Sequence, residues 1–148
     1  MNIRIINIGD ELLIGQVINS NAAVMSRYLL AQGFYVDRTV VIGDKGDAIL
    51  REISDAFQQV DAVILTGGLG PTKDDITKKV ICEYFHTQLV LHQPTLDFVS
   101  GWLAGRGVQM SDTNREQAMV PASAVVLPNR CGTAPGLWLE QDGKVLIS

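Results

Sequence analysis

Two short polar segments, each directly after an apolar run, carry the residues of this sequence that could do chemistry. The segments are GDE at residues 9–11 and TGGLGPTKDD at residues 66–75. Their acidic side chains are Asp10, Glu11, Asp74 and Asp75, and the glycines of the second segment are Gly67, Gly68 and Gly70. Glycine can adopt positive φ and lets consecutive backbone N–H groups form a concave anion site. The second segment therefore predicts a phosphate-binding loop.

The neighbourhood of this loop also favours a phosphate. A helix predicted to begin near Ile76 would point the positive end of its dipole into the loop. The loop's hydroxyl donors are Thr66 and Thr72. The segment is not a P-loop, because Pro71 follows Gly70 where Gly-Lys-Ser/Thr is required, and it is not a GxGxxG motif. On pattern alone, a plain turn with Asp74 or Asp75 as the helix cap explains the segment about as well.

The clustered carboxylates predict a divalent cation beside the phosphate. Like charges held close together raise each other's pKa or require a counter-ion, and Mg²⁺ binds through one or two carboxylates plus substrate phosphates. Such a cation suits hydrolysis of a pyrophosphate or phosphate ester. Asp74 and Asp75, with Asp10 or Glu11, would then hold the metal and activate water. In the metal-free alternative, an aspartate accepts hydrogen bonds from a heterocycle, a ribose or a pterin.

Composition bounds the class of protein. The 148 residues are 47% hydrophobic and carry a net charge of −4, which suits one globular domain. No basic stripe is present, so we expect no nucleic-acid partner. No signal peptide or run of transmembrane length is present, so we expect no membrane partner. Cys82 and Cys131 form no motif, and we expect both to be buried, reduced thiols in the cytoplasm. His86 and His92 complete no zinc motif.

The rest of the chain alternates between strand and helix patterns. Apolar runs predict strands within residues 3–9, 34–44, 61–68, 124–128 and 137–148, the last a hairpin that turns at Asp142-Gly143. Helical spacing predicts helices within residues 19–33, 44–60, 74–85, 93–107 and 111–120. The first is expected to be capped by Ser20 or Asn21, and the second by Asp44 or Asp47.

This order of elements predicts an α/β fold with a mostly parallel central sheet and helices on both faces. Ligands of open parallel sheets bind beyond the carboxyl ends of the strands, so the two polar segments are expected to meet at one edge. A third polar segment, PNRCGTAPG at residues 128–136, also follows a strand pattern. The chain stops inside an apolar strand pattern at Ser148, which leaves open that it is a fragment of a longer protein.

Three motifs in this order, IGDELLIGQVINSN, ILTGGLGPTKDD and NRCGTAPG, closely resemble the CinA family of competence/damage-inducible proteins, in its N-terminal molybdopterin-binding-like domain. MoaB, MogA, MoeA and gephyrin are similar more loosely. The resemblance covers essentially all of residues 1–148 as one domain. It implies a three-layer α/β/α fold of molybdopterin-binding-like type, with a pocket built from the GDE loop, the glycine loop and the GTAPG segment.

The resemblance also implies functional residues, an activity and partners. The residues matched to the pocket are Asp10, Glu11, Gly67, Gly68, Gly70, Asp74 and Asp75, with Asn21, Asn129, Gly132 and Thr133 as weaker candidates. The implied activity is metal-dependent hydrolysis of ADP-ribose to AMP and ribose 5-phosphate. The alternative is a pocket that binds molybdopterin or a nucleotide without chemistry. Relatives form dimers or trimers, so a homo-oligomer is expected.

Overall fold

The computed structural model describes residues 1–68 and 76–148. The strands in this part of the chain are β1 (Asn2–Ile8), β2 (Tyr35–Ile42), β3 (Ala62–Thr66), β4 (Leu89–Leu91), β5 (Met119–Pro121), β6 (Val125–Leu127), β7 (Gly136–Gln141) and β8 (Lys144–Ile147). The helices are α1 (Asp10–Leu13), α2 (Ser20–Ala31), α3 (Gly46–Phe57), α4 (Ile76–Tyr84), α5 (Gln93–Ala104) and α6 (Asp112–Glu116).

A single sheet in the order β2-β1-β3-β8-β7-β6 forms the centre of the fold. Strands β2, β1, β3 and β8 run parallel, while β7 runs antiparallel to both of its neighbours. The mainly parallel α/β fold expected from the sequence is therefore confirmed. The hairpin is also confirmed, since Asp142 and Gly143 both have positive φ between β7 and β8.

The main core lies between one face of the sheet and two helices. Alternate sheet residues such as Ile6 and Leu65 pack against Ile53 of α3 and Ile81 of α4, all of them buried. Right-handed crossovers place consecutive helices of a parallel sheet on opposite faces when the strand order reverses. Helix α2 accordingly lies on the other face, beside β2.

The second face of the sheet is covered unevenly by the described residues. Ile3 and Ile5 of β1 are buried there. By strand alternation the same face continues across β3, β8 and β7, where Ala62 is buried but the larger apolar side chains are only half-buried. These half-buried side chains are Ile64, Trp138, Val145 and Ile147. Along this face, the described residues therefore bury β1 most completely.

The sequence patterns predicted the caps of α2 and α3 wrongly. The side chain of Asn19, and not of Ser20 or Asn21, caps α2 by accepting a 3.2 Å hydrogen bond from the Ala22 N–H. The cap position of α3 is Lys45, with no side-chain cap, in place of Asp44 or Asp47. Helix α2 is capped one residue earlier than predicted, and the cap position of α3 falls one residue after Asp44; pattern alone does not resolve such shifts.

Two further expectations need correction. Cys131 is exposed and not buried, because it lies in the polar loop after β6; Cys82 is buried in α4 as expected. The sequence patterns also missed the separate antiparallel pair β4–β5, whose three-residue strands are too short to show a period. Among residues 1–68 and 76–148, no helix combines the length and the hydropathy that a membrane crossing needs.

Candidate functional site

The sheet reverses its winding direction between β1 and β3, and a crevice opens there. Asn7 of β1 lies beside Thr66 of β3 near the carboxyl ends of both strands. The chain leaving β1 passes to the face that carries α2, whereas the chain leaving β3 enters α4 on the opposite face. Such reversal points are where open α/β sheets bind ligands, because the two connections diverge and leave space between them.

The crevice has a volume of about 240 Å³ and is formed by three pieces of chain. They are the end of β1 with α1, the connection from α1 into α2, and the end of β3. Its lining residues are Ile8, Glu11, Leu12, Val17, Ile18, Asn19, Ser20, Asn21, Thr66 and Gly67. The first acidic segment and the glycine loop thus meet in the crevice through Glu11, Thr66 and Gly67, and Asn21 lines it as well.

The two described glycines of the loop are required by the backbone. Gly67 has φ of 92° and Gly68 has φ of 66°, values that side chains rarely allow. A Cβ at position 67 would collide with the carbonyl oxygen of Ile8, and one at position 68 with Oγ1 of Thr77. The chain therefore leaves β3 as a bare backbone turn packed against β1 and the start of α4.

Asp10 and Glu11 point to different places. The Asp10 carboxylate lies over Gly43 and accepts a 3.3 Å hydrogen bond from the Asp44 N–H, at the end of β2. The Glu11 carboxylate folds back over Gly9 and lines the crevice. Asp10 is absent from that lining. The structure therefore brings one member of the first acidic pair to the crevice and holds the other beside β2.

Among the residues that the structure describes, two buried side-chain oxygens near the crevice have no hydrogen-bond partner. Asn7 is fully buried and donates from Nδ2 to the Val40 carbonyl at 2.9 Å, while its Oδ1 is unpaired. Thr77 is also fully buried, and its Oγ1 is unpaired beside Gly68. Buried polar atoms are nearly always satisfied, so these two oxygens have hydrogen-bonding capacity that the described residues do not use. The sequence patterns did not single out either residue.

Four of the residues predicted from the sequence lie outside the described residues. They are Gly70, Thr72, Asp74 and Asp75. Among the residues that the structure does describe, no group of three or more His, Cys, Asp or Glu side chains is placed to hold a metal ion. The proposed metal ligands Asp74 and Asp75 therefore remain predictions, and Glu11 is the one proposed ligand with a described position in the crevice.

The late polar segment lines a different cavity. Asn129 and Thr133 contribute to a space of about 340 Å³ between α5 and the loop after β6, and Gly132 lies between them in that loop, with a Cβ position 3.3 Å from Nδ2 of Asn129. Both ends of the Asn129 side chain are used within the loop, since it donates to the Ala134 carbonyl and accepts from the Cys131 N–H, each at 2.9 Å. Strands β8 and β7 separate this cavity from the crevice.

Several crevice residues were missed by sequence reasoning. Leu12, Val17 and Ile18 supply apolar walls, and the N–H groups of Gln16 and Val17 both donate to the Glu11 carbonyl, at 3.0 and 3.3 Å. These bonds fold the α1–α2 connection back over α1. The sequence signal that could have found them is an apolar run at residues 12–18 that has neither helical nor strand period.

Known proteins match this chain over nearly its whole length. A family model described as "Probable molybdopterin binding domain" matches residues 4–146. A CinA-like protein of Kosmotoga olearia and a putative competence-damage inducible protein of Caldicellulosiruptor saccharolyticus are each 44% identical over 147 residues. The match covers 99% of this chain but 36% of each relative, so the chain spans about a third of their length.

Solved structures agree with these matches. CinA of Thermoplasma acidophilum, described as a protein of unknown function, is 31% identical with a TM-score of 0.87, and the match covers 99% of this chain and 85% of that chain. The molybdopterin biosynthesis enzyme MoaB of a Thermus species is 14% identical with a TM-score of 0.64, covering 99% and 78%. At that identity, the second likeness shows the fold alone.

Proposed function

This chain belongs to the family of probable molybdopterin-binding domains, among its CinA-like members, and from that premise we propose that the crevice binds a phosphorylated pterin or nucleotide. The observation that carries the proposal is the bare turn of Gly67 and Gly68 at the point where the sheet reverses its winding. Consecutive residues with open backbone can direct their N–H groups at one anion. A phosphate group is the ligand part that suits this turn.

The rest of the crevice supports a ligand with a ring attached to the phosphate. Leu12, Val17 and Ile18 offer apolar contact for a flat heterocycle. Asn21 and Thr66 provide polar groups close to the glycine turn. Pockets for cofactors typically combine a mostly apolar wall with a few placed polar groups. Molybdopterin and nucleotides share this chemistry.

A second candidate function is metal-dependent hydrolysis of a nucleotide diphosphate, most of all ADP-ribose. One observation favours it: Glu11 places a carboxylate beside the proposed phosphate site, where it would repel an anion unless a cation lies between them. Mg²⁺ is the natural cation for such a pairing. Asp74 and Asp75 would have to complete its ligands. With one described carboxylate in the crevice, binding without chemistry is the better supported of the two functions.

Calorimetric titration with AMP and adenosine tests the phosphate site. In EDTA, we expect AMP to bind at least several-fold more tightly than adenosine, because only AMP can use the glycine turn. Equal affinities for AMP and adenosine would overturn the proposal. Incubation of ADP-ribose with the protein and MgCl₂, followed by chromatography for AMP, decides between the two functions. Binding without AMP release supports a binding module, and release that EDTA abolishes supports a hydrolase.

The two functions predict opposite effects of the variant Glu11→Gln on AMP affinity. If no metal takes part, removing the carboxylate relieves its repulsion of the phosphate, and AMP should bind about fivefold more tightly. If a cation bridges Glu11 and the phosphate, the same change should weaken AMP binding in MgCl₂. Glu83→Gln is the matched control, because Glu83 is exposed at the far end of α4. An unchanged affinity of Glu11→Gln in both buffers contradicts a phosphate beside Glu11.

We also propose that copies of this chain associate. Exposed apolar side chains on the outer face of α2, Val24 at 57% and Tyr28 at 67% exposure, support this. They are four residues apart and therefore share one face of the helix. The face adjoins β2, which is an edge strand of the described sheet.

A further inference from the structure

A second cavity, at the other end of the same sheet edge, has the chemistry of a ligand site. It measures about 340 Å³ and lies between the first turns of α5 and the loop that follows β6. Three strand spacings separate β6 from β3, or roughly 14 Å at about 4.8 Å each. The two cavities share no lining residue, so each can be occupied independently.

The walls of this α5 cavity are predominantly apolar and flat. Pro94 and Phe98 of α5 face Val126, Pro128 and Pro135 of β6 and its loop. The phenylalanine ring presents a planar face that suits stacking with another ring, and the proline rings add apolar contact. The volume lies near the lower end of the usual range for small-molecule pockets, roughly 300–1,000 Å³, and therefore suits a ligand of one or two fused rings.

The polar groups of the cavity are few and predominantly cationic or donating. Arg130 is exposed and lines the cavity, and the described residues give it no ion pair. His92 also lines the cavity, and its Nδ1 is held 2.8 Å from Thr95 Oγ1, which fixes the ring. An exposed guanidinium is suited to a planar anion such as a carboxylate.

The loop that carries Arg130 is held in place before any ligand arrives. The Asn129 side chain bridges it by accepting from the Cys131 N–H and donating to the Ala134 carbonyl. A loop fixed in this way loses little conformational entropy on binding. Asn129 therefore positions the loop, and Arg130 and the apolar walls are left to meet the ligand.

We propose that the α5 cavity binds an aromatic or heteroaromatic ring that carries one anionic group, with the ring between Phe98 and Pro128 and the anion on Arg130. The site is separate from the phosphate crevice and does not depend on the function proposed for it. The shared chemistry of such ligands, a flat apolar ring plus a negative charge, decides which probes can test it.

The test is a titration followed by ¹H–¹⁵N NMR with three probes: indole-3-acetate, indole and acetate. We expect indole-3-acetate to shift the amide signals of Thr95, Phe98 and Thr133 saturably. Indole should shift the same signals with about tenfold weaker affinity, which is what one charge-assisted contact contributes. Acetate alone should shift none of them. Shifts that stay linear with indole-3-acetate, or that fall on Thr66 and Gly67 instead, overturn the proposal.

Variants separate the contribution of the charge from that of the ring. Arg130→Ala should reduce indole-3-acetate affinity to that of indole and leave indole unchanged, whereas Arg130→Lys should retain part of the difference. Phe98→Ala should weaken both ring probes alike. Arg51→Ala, which removes one exposed guanidinium from α3, is the matched control and should change neither affinity. If Arg130→Ala and Arg51→Ala behave alike, the anion does not sit on Arg130 and the inference is wrong.

Discussion

Neighbouring residues of the acidic segment have different surroundings, and the sequence could not have shown which would reach the crevice. Asp10 and Glu11 are consecutive residues of α1, and successive side chains of a helical turn point about 100° apart. One such step turns Asp10 toward Gly43 at the end of β2 and leaves Glu11 in the crevice. The residue types predicted a carboxylate at this edge, but which of the two carboxylates lines the crevice depends on the direction in which each side chain leaves the helix.

Gly67 is the residue at which backbone geometry can be tested most directly. Gly67→Ala combines a positive φ, which costs about 1 kcal/mol, with a collision against the Ile8 carbonyl that displaces β1. We expect the free energy of unfolding of Gly67→Ala to fall by about 3 kcal/mol in total, and its melting temperature to fall by about 10 °C. Gly33→Ala has a similar φ of 83° but no atom near the added methyl group.

Thermal unfolding followed by circular dichroism measures both variants. Gly33→Ala should lower the free energy of unfolding only by the cost of a positive φ for alanine, about 1 kcal/mol. Equal losses for the two variants would mean that the Ile8 carbonyl does not restrict position 67. AMP titration of Gly67→Ala at a temperature where it remains folded should also show weakened binding, because the turn that presents the N–H groups has moved.

Arg4 provides a residue-scale prediction about pH. Its guanidinium is buried in β1 and contacts Asp37 at 2.8 Å and Glu52 at 3.4 Å. The hydrogen bond from Arg4 lowers the pKa of Asp37, with Arg38 adding to the effect and burial opposing it. A carboxyl with a lowered folded-state pKa contributes stability that is complete above its unfolded pKa, about 3.9, and is lost as the pH falls through the folded value.

Asp37→Asn should therefore be less stable than the parent protein at pH 7, and the difference should shrink as the pH falls below about 4. Urea denaturation at pH 7 and at pH 3 measures it. Asp55→Asn, on the exposed side of α3, controls for the general loss of a negative charge. A difference between Asp37→Asn and parent that is the same at both pH values would show that the Arg4–Asp37 contact does not depend on ionisation.

Elements with a clear apolar pattern were predictable, and those defined by a few residues were not. Strands β1 and β3 and helix α3 stand out as apolar runs or spaced apolar residues, since each must bury one or both faces. The single turn α1 and the pair β4–β5 are held by tertiary contacts and have no period to read. Helix starts depend on one hydrogen bond, which explains why Asn19 was missed as a cap.

Asn19 links the stability of α2 to the crevice. Asn19→Ala removes the side-chain acceptor of the Ala22 N–H and should destabilise the protein by about 1 kcal/mol. Asn19→Ser and Asn19→Asp both keep an acceptor and should preserve the melting temperature. Because Asn19 lines the crevice, Asn19→Asp should also reduce AMP affinity in EDTA, while Asn19→Ser should not.

This pair of readouts makes the Asn19 series decisive. Calorimetry gives the AMP affinity and a thermal scan gives the stability of each variant. If Asn19→Ala is as stable as the parent, the capping bond contributes nothing measurable. If Asn19→Asp binds AMP as tightly as Asn19→Ser does, no anion approaches this part of the crevice.

The order of strands decides which distant residues can share a site. Sequence patterns placed the first acidic segment, the glycine loop and the late polar segment after strands, and all three are at the carboxyl edge where they are described. Insertion of β8 and β7 between β3 and β6 then separates the late segment from the other two. Strand order is a non-local property that follows from pairing across the whole chain, so no local pattern could have predicted two cavities in place of one.

The outer face of α2 carries the last prediction, which concerns the whole molecule. Val24 and Tyr28 contribute little to the core, being mostly exposed, so the double variant Val24→Glu/Tyr28→Glu should leave the melting temperature of the isolated subunit nearly unchanged. If copies associate through this face, burying two carboxylates there would be unfavourable, and sedimentation velocity should show a shift toward monomer. Val125→Glu makes the same kind of change at the opposite edge of the sheet, where Val125 is 62% exposed; it should sediment like the parent. Dissociation by Val125→Glu alone would move the interface to β6, and a parent protein that is monomeric at all concentrations would reject association altogether.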